Sequence, residues 1–130
     1  MSEPTDYAAA FLARAREALD AARLDADHDH AEAAINRAYY AAFYAARAAL
    51  EREGEAPRSH KGVRARFGDR FVRTGRVDHA TAGILQAAEV ARLKADYDAL
   101  SVFDTSAARD LIADVERFVA AVETLLADGP

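Results

Sequence analysis

The chain has no cysteine, which excludes a disulfide framework, a thiolate zinc site and a cysteine nucleophile. Proline occurs only at positions 4, 57 and 130, so little interrupts a helix once it has started. No run approaches the roughly eighteen consecutive apolar residues of a membrane span, and the start Met1-Ser2-Glu3-Pro4 is polar and acidic. A soluble, cytoplasmic protein with no membrane association and no secretory signal is expected. Basic residues are also outnumbered: 17 against 22 acidic ones leave a formal charge of −5. Taken as a whole, that balance argues against a nucleic-acid binder.

What the chain has in quantity is alanine, 34 of its 130 residues. Alanine is the strongest helix former, so an all-α protein is expected. The length allows one domain, spanning 1–130. Such a domain buries roughly 65% of its unfolded surface without disulfides or metal.

Hydrophobic spacing divides the chain into helices. Pro4, Thr5 and Asp6 start the first, in which Ala8, Leu12, Ala15, Leu19 and Ala22 recur every three or four residues to about Leu24. Asp25 to His30 is a connection. The second helix carries Ile35, Tyr39, Ala42, Ala46 and Ala49 on one face and ends near Glu53, with Gly54 suited to the left-handed position beyond it. Its small residues permit close approach by neighbours and mark it as a central helix. Ser59 caps a short helix to Phe67, Gly68 breaks it, and Asp69 to Arg73 adds a turn or two before Thr74-Gly75. Asp78 caps the third long helix, with Ile84, Leu85, Ala88, Ala91 and Ala95 inward, ending near Asp98 or Leu100. Ser101 to Asp104 is the last connection. Thr105 or Ser106 caps the final helix, in which Leu111, Val115, Phe118, Val122 and Leu125 alternate steps of four and three, and Gly129-Pro130 closes the chain. The expected fold is an all-α, antiparallel up-and-down bundle of four long helices with a short helical insert between the second and third.

Three segments carry candidate chemistry. In Asn36-Arg37-Ala38-Tyr39-Tyr40-Ala41-Ala42-Phe43-Tyr44, neighbouring tyrosines diverge by roughly 100° around a helix. Tyr39 therefore enters the core stripe, while Arg37, Tyr40 and Tyr44 line a second face; packing at the core edge is the plainer alternative. Ser59-His60-Lys61-Gly62 sets a histidine at a helix N-terminus, where the dipole favours a neutral imidazole able to act as a base or hydrogen-bonding group. An exposed loop histidine is the alternative there. Arg92 and Asp96 stand four apart on the flank of a buried stripe, where an arginine held by a carboxylate suits phosphate or partner binding, or forms a simple surface pair. His28-Asp29-His30 lacks a third ligand at usable spacing, so neither a metal nor a cofactor is expected.

In order, R-A-Y-Y-x-x-F-Y-A-A-R (Arg37 to Arg47), S-H-K-G (Ser59 to Gly62) and R-x-x-A-D-Y (Arg92 to Tyr97) resemble the HEPN superfamily, in particular its small stand-alone bacterial and archaeal branch. The resemblance spans roughly residues 5 to 127. It implies a helical bundle that forms homodimers, a nucleotidyltransferase protein partner in a toxin–antitoxin or defence pair, and, in active members, metal-independent RNA cleavage by an arginine and a histidine four to six residues further on. Arg92 matches that arginine. The histidine is absent: Tyr97 stands five positions after Arg92, and the last histidine of the chain is His79.

The candidate catalytic residues are therefore Arg92, His60 and Tyr97, with Arg37, Tyr40, Lys61 and Asp96 as ligand-binding residues. Tyr97 is also the candidate acceptor if a nucleotidyltransferase modifies its partner. The leading reading is an RNA- or nucleotide-binding interaction module. A toxin ribonuclease and a structural helical protein without ligand are the alternatives. The net charge does not oppose the first two, because it is unevenly spread. From Arg52 to Arg76, eight basic residues face three acidic ones, a local +5, and the remainder of the chain sums to −10. Local field rather than total charge governs attraction of phosphates, so the insert is the expected landing region for RNA.

Overall fold

Proline at the first helical position loses no hydrogen bond, and the first helix, α1, starts there: Pro4–Asp27. Its stripe is buried as spaced, with Ala8, Ala15, Leu19 and Ala22 in the core and Leu12 at its edge. It runs one turn past Leu24 because Ala26 is fully buried too. Asp29 then reverses the chain in a left-handed conformation (φ 60°) that aspartate tolerates. The second helix, α2, covers Ala31–Arg52, and Gly54 follows it at φ 78°. The remaining helices are α3 (His60–Phe67), α4 (His79–Tyr97) and α5 (Thr105–Ala127). This computed structural model describes residues 4–100 and 102–128; the expectations for Met1 to Glu3, Ser101 and Gly129-Pro130 lie outside the described residues. Among the described residues the secondary structure is helical throughout, without strands. The long helices α1, α2, α4 and α5 form the bundle, and α3 is the insert.

Two local expectations change. Gly68 does not break α3: its φ of −59° is helical, and the chain continues as a π-helical turn, Gly68–Val72. Phe67 and Phe71 explain this. Their rings meet at 5.0 Å, and Phe67 reaches Phe118 of α5 at 5.4 Å, so continuing the helix buries both. That burial outweighs the roughly 1 kcal/mol helical penalty of one glycine. The α5 cap is Asp104, not Thr105 or Ser106; its carboxylate accepts from the Ala107 amide at 2.7 Å. The Thr105 hydroxyl donates instead to Asp29 at 3.0 Å.

α2 is the centre. It packs against α1, α3, α4 and α5, and of its thirteen buried residues nine are alanine. Side chains that end at Cβ let four neighbours approach one axis without a void. At the far end, Arg52 donates to the carbonyls of Leu126 and Leu125 at 2.6 and 3.1 Å, satisfying the otherwise unpaired last turn of α5. Substituting Ala45→Leu, at a fully buried α2 position, is expected to destabilise by about 1–3 kcal/mol through overpacking. The exposed Ala33→Leu is expected to stay within about 0.5 kcal/mol. Urea midpoints at constant m-value measure both.

Candidate functional site

α4 turns Leu85 and Ala88 into the core, and the residue one turn further along that stripe is an arginine. Arg92 is only 8% exposed. A guanidinium so placed loses hydration and must be compensated locally. Arg92 Nη1 donates to Asp96 one turn on, at 3.1 Å. Asn36 of α2 donates to the same carboxylate at 3.3 Å and holds it in place. The faces of Tyr39 and Tyr40, also on α2, lie 4.9 and 5.9 Å from the guanidinium carbon. The Arg92 Nε is buried with no hydrogen-bond partner among the described residues.

His60 arrives from α3. The Ser59 hydroxyl accepts from the Gly62 amide at 2.8 Å and fixes the first turn. The imidazole then packs 4.8 Å from the Phe43 ring, 5.5 Å from Tyr39 and 6.1 Å from Tyr40. Its Nδ1 is hydrogen-bonded to the Tyr39 hydroxyl. Burial lowers the His60 pKa, the charge of Arg92 lowers it further, and Glu89 partly opposes both. The Tyr39 phenol moves upward, through burial first and Glu89 second. Glu89 is itself ion-paired to Arg64 of α3, which ties the insert to α4.

These directions determine the chemistry. Tyr39 keeps its proton, and His60 is neutral at physiological pH. With the phenol donating to Nδ1, the imidazole presents Nε2–H as a donor; in the other tautomer Nε2 is a base. A neutral donor and a cationic one thus flank the same tyrosine pair. That pairing suits a phosphate oxygen, which a guanidinium binds through charge-assisted hydrogen bonds. Among the described residues, no group of three His, Asp or Glu side chains is placed to hold a metal ion.

Of the residues singled out in the sequence, Arg92, Asp96, His60 and Tyr40 come together here. Tyr97 does not: it is 77% exposed on the outer face of α4. Lys61 is exposed on α3, and Arg37 is exposed on α2, where it lines a separate groove against α1. Sequence reasoning gave no role to Asn36, Glu89 or the Tyr39 hydroxyl. A signal existed for Tyr39, since a buried phenol requires a partner. The basic insert also differs from expectation. Arg66 and Arg70 share Glu55, Arg66 and Arg73 share Asp69, and Arg76 pairs with Glu53 at 2.7 Å. Hydrogen bonding to Arg66 leads the forces that hold the Glu55 carboxyl below its usual range. Most of these arginines therefore brace the insert.

The helical bundle thus buries an arginine between α2 and α4. The HEPN domain family matches residues 8–125. The chain belongs to the HEPN family. A "UPF0332 protein" of Thermotoga maritima is 36% identical over 115 residues, covering 88% of this chain and 87% of the relative. A second "UPF0332 protein", from Gloeobacter violaceus, is 36% identical over 110 residues, covering 84% and 87%. A Methanocaldococcus jannaschii protein named "Putative toxin MJ0605" is 32% identical over 117 residues, covering 90% and 87%.

The electrostatics of this HEPN site have a measurable sign. Unfolded, His60 titrates near 6.5; folded, it titrates lower. Just below pH 6.5 the unfolded chain therefore binds more protons, so stability falls as pH drops from about 6.5 through the folded pKa. NMR titration is expected to show a His60 midpoint below about 6.5 that rises in Arg92→Ala. An unmoved midpoint in the variant removes Arg92 from the electrostatics of His60.

Proposed function

We propose that this HEPN protein is a toxin-like module that binds RNA or a nucleotide between α2 and α4, acting as a homodimer with a nucleotidyltransferase partner. The observation that carries the binding reading is Arg92: a buried guanidinium, held by Asp96 and two tyrosine faces, beside a neutral His60. A purely structural role does not call for a buried charge, since an apolar residue of similar volume fills such a position at least as well. The toxin-like part draws its support from the name of the Methanocaldococcus jannaschii relative. Fluorescence anisotropy with a single-stranded oligoribonucleotide tests the reading. Losing a charged hydrogen-bond donor is expected to weaken binding roughly ten- to a hundredfold in Arg92→Ala. Equal affinity in wild type and variant sinks the proposal.

A ribonuclease is the second reading, and the His60–Tyr39 hydrogen bond beside Arg92 favours it. Metal-independent cleavage needs a base for the 2′-hydroxyl and an acid for the leaving oxygen. Tyr97 is exposed on the outer face of α4, so His60 is the candidate for the first task. RNA incubated with wild type in a chelator is then cut and with His60→Ala is spared; intact RNA in both ends this reading.

The homodimer reading is supported by an apolar stripe on the outer face of α4. Val90, Leu93 and Tyr97 are all exposed and step by three and four residues, the spacing of a helix seam, and Leu100 is exposed in the turn just beyond the helix. Leu93→Glu is expected to convert a dimer to monomer in sedimentation velocity, with the helical circular dichroism unchanged.

A further inference from the structure

The distribution of counter-charges singles out another surface. Among the described residues, every arginine except Arg14, Arg37 and Arg58 is ion-paired with a carboxylate or hydrogen-bonded to a backbone carbonyl. Two of those three, Arg14 and Arg37, line one groove of about 740 Å³ between α1 and α2, together with Tyr44. Both are exposed. Beyond Arg14 and Tyr44 the groove leads into a second hollow of about 530 Å³, walled by Tyr7, Phe11 and Arg47.

The walls are flat and cationic. Phe11 and Tyr44 stack at 6.2 Å, the Arg47 guanidinium lies 4.3 Å over Phe11, and that of Arg14 lies 5.9 Å from Tyr44. The Arg47 Nε is buried without a hydrogen-bond partner among the described residues. Glu17 is the one carboxylate among the described residues lining the two hollows. The floor is alanine, at positions 10, 13, 18 and 21, so a ligand can approach the backbone closely. Tyr40 bridges this surface to the Arg92 site: its ring is 6.0 Å from Tyr44 and 5.9 Å from the Arg92 guanidinium.

Cations interleaved with aromatic faces along an open groove are how proteins hold single-stranded nucleic acid without reading its sequence, and Arg14 and Arg37 enter the groove without an ion-pair partner. We infer that the α1/α2 groove is a second subsite for single-stranded RNA, taking nucleotides adjoining the one at Arg92. Arg14 and Arg37 contact phosphates, and Tyr44 with the half-exposed Tyr7 offers faces for bases. The inference rests on the RNA reading of the Arg92 site. It also moves the path of the strand away from the basic insert, whose arginines, Arg58 apart, already have partners.

The test compares a ribomononucleotide and a short single-stranded oligoribonucleotide on the full chain over a salt series. Arg14→Ala/Arg37→Ala is expected to weaken the oligonucleotide and to reduce the slope of log K against log salt by about 1.4, or about 0.7 per lost phosphate contact. Mononucleotide affinity stays at the wild-type value. Tyr44→Leu weakens the oligonucleotide by about five- to a hundredfold. A double variant with wild-type oligonucleotide affinity and salt slope overturns the inference, and if Arg92→Ala still weakens binding, the Arg92 reading survives alone. The reverse pattern keeps the groove and removes the Arg92 site. A wild type that binds no RNA removes both. A double variant that changes the oligomeric state while leaving RNA affinity intact makes the groove a protein contact and also overturns the inference.

Discussion

Burial of α2 on nearly every side shapes the rest of the molecule. Nine alanines among its buried residues allow α1, α3, α4 and α5 to approach one axis. Larger side chains would force the neighbours apart or into strained rotamers. The aromatic residues of α2 occupy what remains of its circumference. Tyr39 and Phe43 are buried, while Tyr40 and Tyr44 sit half-buried at the seams with α4 and α1. The central helix thus supplies both the core and the lining of the grooves on either side of it.

Arg92 shows how a core position becomes a site. Its helical register places it inward, and the cost of burying its charge is offset by Asp96, Asn36 and two tyrosine faces. That same charge, with desolvation, holds His60 neutral. The group that makes the site electropositive is therefore also, after desolvation, the larger of the two charges that keep its imidazole from protonating, Arg64 being the other. An anion beside Arg92 would oppose that part of the shift and raise the His60 pKa.

Charge in this protein is organised by pairing more than by segment. Residues 52–76 look like a basic landing strip in one dimension, yet Glu53, Glu55, Asp69 and Glu89 engage most of its arginines. Arg14 and Arg37 lie outside that basic run, and they are left without ion-pair partners. Pairs of this kind, with the glutamate largely covered and the guanidinium open to water, contribute only modestly to stability. Their larger consequence is to decide which cations face solvent with their charge uncompensated.

Local rules carried most of the fold. Alanine content, the spacing of apolar residues, Pro4, Gly54, Ser59 and Asp78 place the helices, because propensity and capping act within a few residues of chain. The connection at Asp104 was misplaced by one or two positions, since three adjacent residues could each cap. The helical conformation of Gly68 is not legible locally because the deciding term, the contact of Phe67 with Phe118, joins segments about fifty residues apart. The site divides the same way. Arg92 with Asp96 is legible as an i, i+4 pair on one helix, and His60 as a residue in a capped first turn. Their meeting over Tyr39, the support from Asn36 and Glu89, and the outward turn of Tyr97 follow from how α3 and α4 dock on α2. The sequence by itself determined which residues lie on which face of each helix. Which faces meet, and so which arginines keep a free charge, only the tertiary structure decided, because carboxylates distant in the chain become neighbours on packing.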